Sequence, residues 1–245
     1  MKEISSVNNE LIKETAKLKE KKYRDMTNLF LIEGYHLIQM AKKYLQIVFV
    51  SNKEDYGKID SVTYYYVTEE VINKLSQTKN SQGIIGVCQK MAFSSVSSNN
   101  IIALDNLQDP GNVGTIIRTA LAFGIKDIVI SDDTVDIYND KVIRSSQGAL
   151  FNVNIIVDNI LKVCKSLKEQ GYKIIGTSLN KAKELSPMTF SNKNIVIFGN
   201  EGNGVKEDIL NSTDENIFIK INKEIDSLNV GVAASIIMYE ISKLK

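Results

Sequence analysis

One histidine, His36, stands in the whole chain, with two cysteines, two prolines and no tryptophan. The lone histidine, on a helix expected at 35–43, offers no cluster for a metal site and reads as structural. With no Cys/His group, zinc ligation is excluded. Cys88 and Cys164 lie in the apolar runs GIIGVCQK and ILKVCKSL and read as small core residues rather than a disulfide. No apolar run approaches the ~20 residues of a membrane span, and the N-terminal residues carry no apolar signal core, so the expected location is the cytoplasm. Charge of one sign is also lacking: 30 Lys and Arg face 29 Asp and Glu, for a net charge of +1. Any nucleic-acid surface must therefore come from local asymmetry.

The chain of 245 residues, 43% hydrophobic, suffices for one large domain or two small ones without covalent staples. Ser5-Ser6 is placed to cap a helix running through LIKETAKLKEKKYRD. Leu11, Ile12, Thr15 and Leu18 form its apolar stripe. The other face holds Lys13, Lys17, Lys19, Lys21, Lys22 and Arg24 against Glu14 and Glu20. Such a face follows phosphates or is simply solvated. Strands are expected at 29–32, 47–50, 62–67 and 83–88, with helices at 35–43 and 69–75, a small α/β sandwich. The serine- and asparagine-rich MAFSSVSSNN (91–100) marks a boundary. The expected division is a domain over 1–92, a linker over 93–100 and a domain over 101–245.

The second domain alternates strands (101–105, 127–131, 152–157, 173–177, 195–198, 217–221) with helices (113–123, 139–147, 158–170 and one from about 228). Asn112 reads as an N-cap and Gly124 as an αL stop. Continuous apolar strands between helices imply a parallel sheet covered on both faces. The run Gly199-Asn200-Glu201-Gly202-Asn203-Gly204 tolerates positive φ. With the strand at 217–221 and the last helix, it frames a small-molecule crevice. Its glycine order fits no dinucleotide fingerprint and no P-loop lysine follows. No G-x-S-x-G turn is present. Arg118, Asn112, Glu201, Ser227 and Asn229 remain as the polar groups near strand ends and helix starts; the plain alternatives are N-caps, turn residues and a solvated arginine.

Three stretches then carry a resemblance: DNLQDPGNVGTIIRTALAFG (105–124), IFGNEGNGV (197–205) and INKEIDSLNVGVAAS (221–235). In letters, order and spacing they resemble the motifs of the SpoU-type RNA 2′-O-ribose methyltransferases of the SPOUT superfamily. The N-terminal stretch ISSVNNELIK…LKEKKYRD…FLIEG resembles the L30e-like substrate-binding domain of members that act on 23S ribosomal RNA.

The resemblance implies an L30e-like α/β sandwich followed by an α/β SPOUT domain with a parallel sheet and a deep trefoil knot. It implies S-adenosylmethionine as cofactor, held at Gly199, Ile219 and Leu228, with the loop of Thr177 and Leu179 beside it. Asn112, Arg118, Glu201, Ser227 and Asn229 fall on catalytic and substrate positions. Lys13, Lys21, Lys22 and Arg24 become RNA contacts, and a homodimer shares its sites between subunits. No metal and no membrane are expected. The expected reaction is methyl transfer to a ribose 2′-hydroxyl of ribosomal RNA; alternatives are transfer RNA as substrate, or a non-catalytic RNA-binding relative. The arginine matching Arg118 is often proposed as base in the family, but a guanidinium stays protonated, so a phosphate grip and alkoxide stabilisation fit it better. One departure stands out. Where the family usually has I-P-M-x-G, this chain has Ile219-Lys220-Ile221-Asn222-Lys223, which removes a Pro and a Gly and adds two charges.

Overall fold

The computed structural model describes residues 1–186 and 189–243, in two compact units. The first unit comprises residues 1–92 together with 138–151. Its five-stranded sheet runs β1 (Lys2–Ile4), β4 (Thr63–Val67), β3 (Leu45–Val50), β5 (Ile84–Gln89), β2 (Leu29–Glu33). The first three strands are mutually parallel, and β5 is antiparallel to both its neighbours. Helices α1 (Glu10–Lys17) and α4 (Glu69–Leu75) contribute Ile12, Val71, Ile72 and Leu75 to a core with Phe49, Ile85 and Val87.

The basic N-terminal helix is two helices. Asn9, not Ser5 or Ser6, caps α1 by accepting from the Leu11 amide at 3.0 Å. The chain breaks after Leu18 and restarts as α2 (Lys21–Thr27). Arg24 is the reason the break is tolerated: it is 5% exposed and donates to the Leu18 and Lys19 carbonyls at 3.0 and 2.7 Å. A helix end leaves carbonyls without partners, and Arg24 supplies them. Its expected place on a phosphate-facing stripe is therefore corrected; Lys13, Lys21 and Lys22 remain exposed.

Residues 138–151 were expected in the second domain but fold with the first unit. They form α6 (Asp140–Ser146) and a 3-10 turn at Ala149–Asn152. The link is aromatic: the Phe30 ring lies 4.6 Å from Tyr138 and 6.4 Å from Phe151, centroid to centroid. Helix α3 (Tyr35–Met40) follows β2.

The second unit comprises 93–137 and 152–245. Its sheet order is β10 (Lys183–Glu184), β12 (Glu215–Phe218), β9 (Lys173–Thr177), β11 (Asn194–Gly199), β6 (Asn100–Asp105), β7 (Asp127–Ile130), β8 (Asn154–Val157). Every pair is parallel. On one side α7 (Ile160–Glu169) and α8 (Glu207–Leu210) pack Ile160, Cys164, Leu167 and Ile209 against Ile101, Ile174 and Ile195. Elsewhere α5 (Pro110–Ala122) packs along α9 (Val230–Ser242), and α9 also packs on β11. Both cysteines are free and buried. Burial pushes both thiols up, Cys164 to about 12.

Strand β12 ends at Phe218, short of the expected Ile221. Its last partner on β9 is Thr177, the final residue of that strand, so the ladder has no further rung. The stretch expected as a linker is tied down at 94–98. Asp127 accepts from the Ser97 and Ser98 amides at 3.1 and 2.6 Å and from Asn154 Nδ2 at 2.6 Å. Asn154 also bonds Ser94 in both directions. Among the described residues, no helix is long and apolar enough to cross a membrane.

Candidate active site

In the second unit the carboxyl ends of β9, β11 and β12 and the start of α9 enclose a cavity of about 600 Å³. Crevices at strand carboxyl ends are where parallel α/β sheets take ligands, and this volume is within the usual 300–1,000 Å³. Its wall includes Thr177, Leu179, Gly199, Ile219 and Leu228, the residues that the resemblance assigns to the cofactor. Glu201, Ser227 and Asn229 line it as well; Asn112 and Arg118 do not.

Gly199 makes the wall possible. A β-carbon there would overlap the Gly204 carbonyl carbon and the Val205 amide nitrogen. The loop folds back on itself through the reciprocal bonds Asn200 N to Gly204 O, 3.0 Å, and Gly204 N to Asn200 O, 2.9 Å. Asn200 holds it from inside: Oδ1 accepts from the Gly202 and Asn203 amides, and Nδ2 donates to the Asn106 carbonyl at 2.8 Å. Sequence reasoning did not single out Asn200. The signal was an asparagine two residues before a glycine, an Asx-turn pattern. The apolar floor was missed too: Val230, Ala233 and Ile237 line the cavity at i, i+3 and i+7 of α9, one helical face.

Glu201 reaches across to the start of α5. Its carboxylate accepts from the Gln108 amide (3.2 Å), the Asp109 amide (3.1 Å) and Asn112 Nδ2 (3.0 Å). Burial alone would raise its pKa, but these donors hold it below the ordinary carboxylate range. The three donors keep the carboxylate ionised and tie the 199–204 loop to the Asn112 side chain. Among the described residues Glu201 forms no ion pair with Arg118.

Asn112 is not the N-cap expected for α5. Asp109 is, accepting from the Asn112 amide at 2.9 Å, with Pro110 at the first helical position. Asn112 is thus inside the first turn, and its side chain is not spent on capping. Its Oδ1 accepts from Asn229 Nδ2 at 2.9 Å. Asn229 is the N-cap of α9, with Oδ1 taking the Gly231 and Val232 amides. Ser227 precedes that cap by two residues and is exposed. One chain of polar contacts, Glu201–Asn112–Asn229, thereby joins the 199–204 loop to the starts of two helices.

Arg118 is exposed on α5. Among the described residues it makes no hydrogen bond or ion pair, which leaves a permanent cation available to an anionic ligand. Deeper in, Asp105 is 1% exposed; Oδ2 accepts from the Lys206 amide at 2.9 Å, and Lys206 Nζ offsets Oδ1 at 3.3 Å. No group of three or more His, Cys, Asp or Glu among the described residues is arranged to hold a metal.

Residues 99–239 match the SpoU rRNA Methylase family. The chain belongs to that family. Residues 9–86 match the MRM3-like substrate binding domain. The SpoU methylase is 36% identical to the 23S rRNA (guanosine(2553)-2′-O)-methyltransferase RlmP of Bacillus subtilis, over 98% of this chain and 99% of that one. It is 31% identical to an uncharacterized tRNA/rRNA methyltransferase of Synechocystis, over 97% and 92%. Its fold is similar to that of an AdoMet-bound rRNA methyltransferase from Sinorhizobium meliloti, with a TM-score of 0.85 and 26% identity over 98% and 96% of the chains. The α/β class with a parallel sheet and an N-terminal substrate-binding domain is the one that the motifs implied.

Proposed function

We propose that this SpoU methylase transfers the methyl group of S-adenosylmethionine to a ribose 2′-hydroxyl of 23S ribosomal RNA. The observation that carries the reading is the strand-end cavity with the Glu201–Asn112–Asn229 chain at its mouth. The donor set fits the cofactor: an apolar floor for its ring and chain, and loop groups at Thr177, Gly199, Ile219 and Leu228 for its polar edges. When bound, the cofactor supplies an electrophilic sulfonium methyl. The carbon–sulfur bond breaks as the oxygen–carbon bond forms, and S-adenosylhomocysteine and a proton leave.

The protein's own residues align and charge-stabilise. Asn112, held at both ends of its amide, and Ser227 and Asn229 orient the ribose, which is worth several kcal/mol when attack is in line. Arg118 grips a phosphate beside the target and stabilises negative charge growing on the oxygen. Because Arg118 does not line the cavity of its own chain, it acts in the cavity of a second copy. A homodimer fits α9 as well. That helix is apolar on nearly every side, yet Val232 and Tyr239 remain 48% and 50% exposed, and such a helix is ordinarily covered. The trefoil knot belongs to the same reading, with the chain around 199–230 as the threaded part. Lys13, Lys21 and Lys22 contact RNA, and the cytoplasm, where ribosomal RNA is made, is the location.

The test is methyl transfer from labelled cofactor to a 23S transcript, with 2′-O-methyl positions mapped by resistance to alkaline cleavage. The guanosine specified in the name of the Bacillus relative is the first position to examine. Arg118→Ala is expected to keep wild-type melting and cofactor affinity while losing at least about a hundredfold in rate, the scale of one lost oxyanion donor. Wild-type rate in that variant refutes its assignment, and methylation of transfer RNA alone refutes the substrate.

A further inference from the structure

The first unit holds a second cleft, of about 360 Å³, lined by Glu33, Gly34, His36, Gln82, Arg144 and Gln147 among others. Its parts are held in place by bonds outside the cleft. Glu33, at the end of β2, accepts from Ser76 Oγ (2.8 Å), the Gln77 amide (3.1 Å) and Thr78 Oγ1 (2.8 Å), which pins the loop leading to Gln82. Gln82 lies directly over Gly34: a β-carbon there would come within 2.9 Å of its Oε1, and Gly34 has φ +98°. Gln82 Oε1 takes the Tyr35 amide at 3.1 Å. Opposite, Asp140 grips Arg144 through Nε (3.0 Å) and Nη2 (2.7 Å).

The turn after α6 is strained. Gln147 and Gly148 both have positive φ, +50° and +83°, and left-handed non-glycine residues cluster at ligand sites. The conformation is secured by His36 Nε2, 3.1 Å from the Gln147 carbonyl. A carbonyl only accepts, so that nitrogen carries the hydrogen. With these bonds made, several groups in the cleft have no partner among the described residues. They are the Gln82 Nε2 donor, the Arg144 Nη1 donor and the Gln147 Oε1 acceptor.

We infer that this cleft takes one unpaired nucleotide of the RNA substrate and reads its base edge through Gln82, Arg144 and Gln147. The inference rests on the proposed RNA-directed function. Three features favour a base over a bare phosphate. The Arg144 charge is already offset by Asp140, the free groups include an acceptor as well as donors, and Leu37 supplies an apolar surface. Fixed mixed donors and acceptors suit the exposed edges of a splayed-out base, the usual means of sequence-specific RNA recognition.

The test uses the full-length protein with a 23S transcript. Gln82→Ala and Arg144→Ala are each expected to raise the KM for RNA roughly tenfold, the scale of a lost bidentate base contact, with the change concentrated in KM. Cofactor affinity and melting stay as in the wild type, and ultraviolet crosslinks from RNA map to the peptides bearing Gln82 or Arg144. Both variants within twofold of wild-type KM overturn the inference. So does an Arg144→Lys protein with wild-type KM, because charge alone would then suffice. Should Arg144→Ala fail to fold, Gln82→Ala, a change on an exposed loop, decides. If the wild type transfers no methyl, the functional reading fails instead, and the crosslink map alone judges the cleft: crosslinks elsewhere refute it.

Discussion

Asn112 uses both ends of one amide: Nδ2 gives to Glu201 and Oδ1 takes from Asn229. The orientation is forced, because an ionised carboxylate only accepts. Replacing it with aspartate removes the donor that Glu201 needs and sets two carboxylates face to face. The bond from Asn229 survives, because a carboxylate still accepts, but the 199–204 loop is pushed off the first turn of α5. Asn112→Asp is expected to lose about a hundredfold in methyl transfer, the cost of a roughly 1 Å misplacement, while calorimetric cofactor affinity stays within a few-fold, since Asn112 lies outside the cavity wall. Equal loss of both would mean that the cavity itself had collapsed. The motif resemblance singles out Asn112, Glu201 and Asn229, and the structure joins the three by hydrogen bonds. Those bonds were not legible in the sequence, because each spans 89 or 117 residues, and no local pattern carries such a pairing. Arg24 failed for the complementary reason. A charge at helical spacing reads as exposed, and only the break after Leu18 shows that its guanidinium is needed inside.

The helices α5 and α9 begin under different rules, which explains what local patterning got right. For α5, Pro110 at the first position and Asp109 before it are a standard start, yet the motif drew attention to Asn112 three residues on. For α9, Asn229 both caps the helix and faces the site, and the two duties can be separated. Asn229→Asp keeps an acceptor for the Gly231 and Val232 amides, and a negative charge suits a helix start, but it cannot donate to Asn112. Its melting temperature is expected near the wild-type value while activity falls at least about tenfold; a matching loss of stability would mean that capping is its whole function. The sheet order was not legible, since period and length give strands but not neighbours. The element at 93–100 shows how composition misleads: a serine-rich stretch reads as slack, but Asp127, 1% exposed, binds it. Burial opposes ionisation of Asp127, yet donation from Asn154, Ser97 and Ser98 prevails and lowers its pKa. The lowered folded value means that its contribution is complete above the ordinary aspartate pKa of about 3.9 and fades as pH falls through the folded one. Asp127→Asn is therefore expected to cost about 1–3 kcal/mol in urea unfolding at pH 7. The difference should shrink when the comparison is repeated well below pH 4; a constant difference would refute the role of the charge.

At the scale of the whole molecule, the placement of Arg118 sets the argument. The cavity is walled by residues 177–237 of one chain, and Arg118 stands outside it without a partner among the described residues. If the cation serves a second copy, each active centre draws its cofactor cavity from one subunit and its arginine from the other, as twofold symmetry permits. Two inactive variants then complement. Arg118→Ala keeps an intact cavity and lacks the cation. Ala233→Trp, with folding checked by circular dichroism, keeps the cation and fills the cavity, since Ala233 lines it. Mixed in equal amounts and allowed to exchange, half the dimers are hybrids, and each hybrid has one centre with both parts. About a quarter of wild-type activity per subunit is expected. An arginine acting within its own chain gives the opposite result, because no centre in the hybrid would unite cation and cofactor, and the mixture would stay as inactive as its parents.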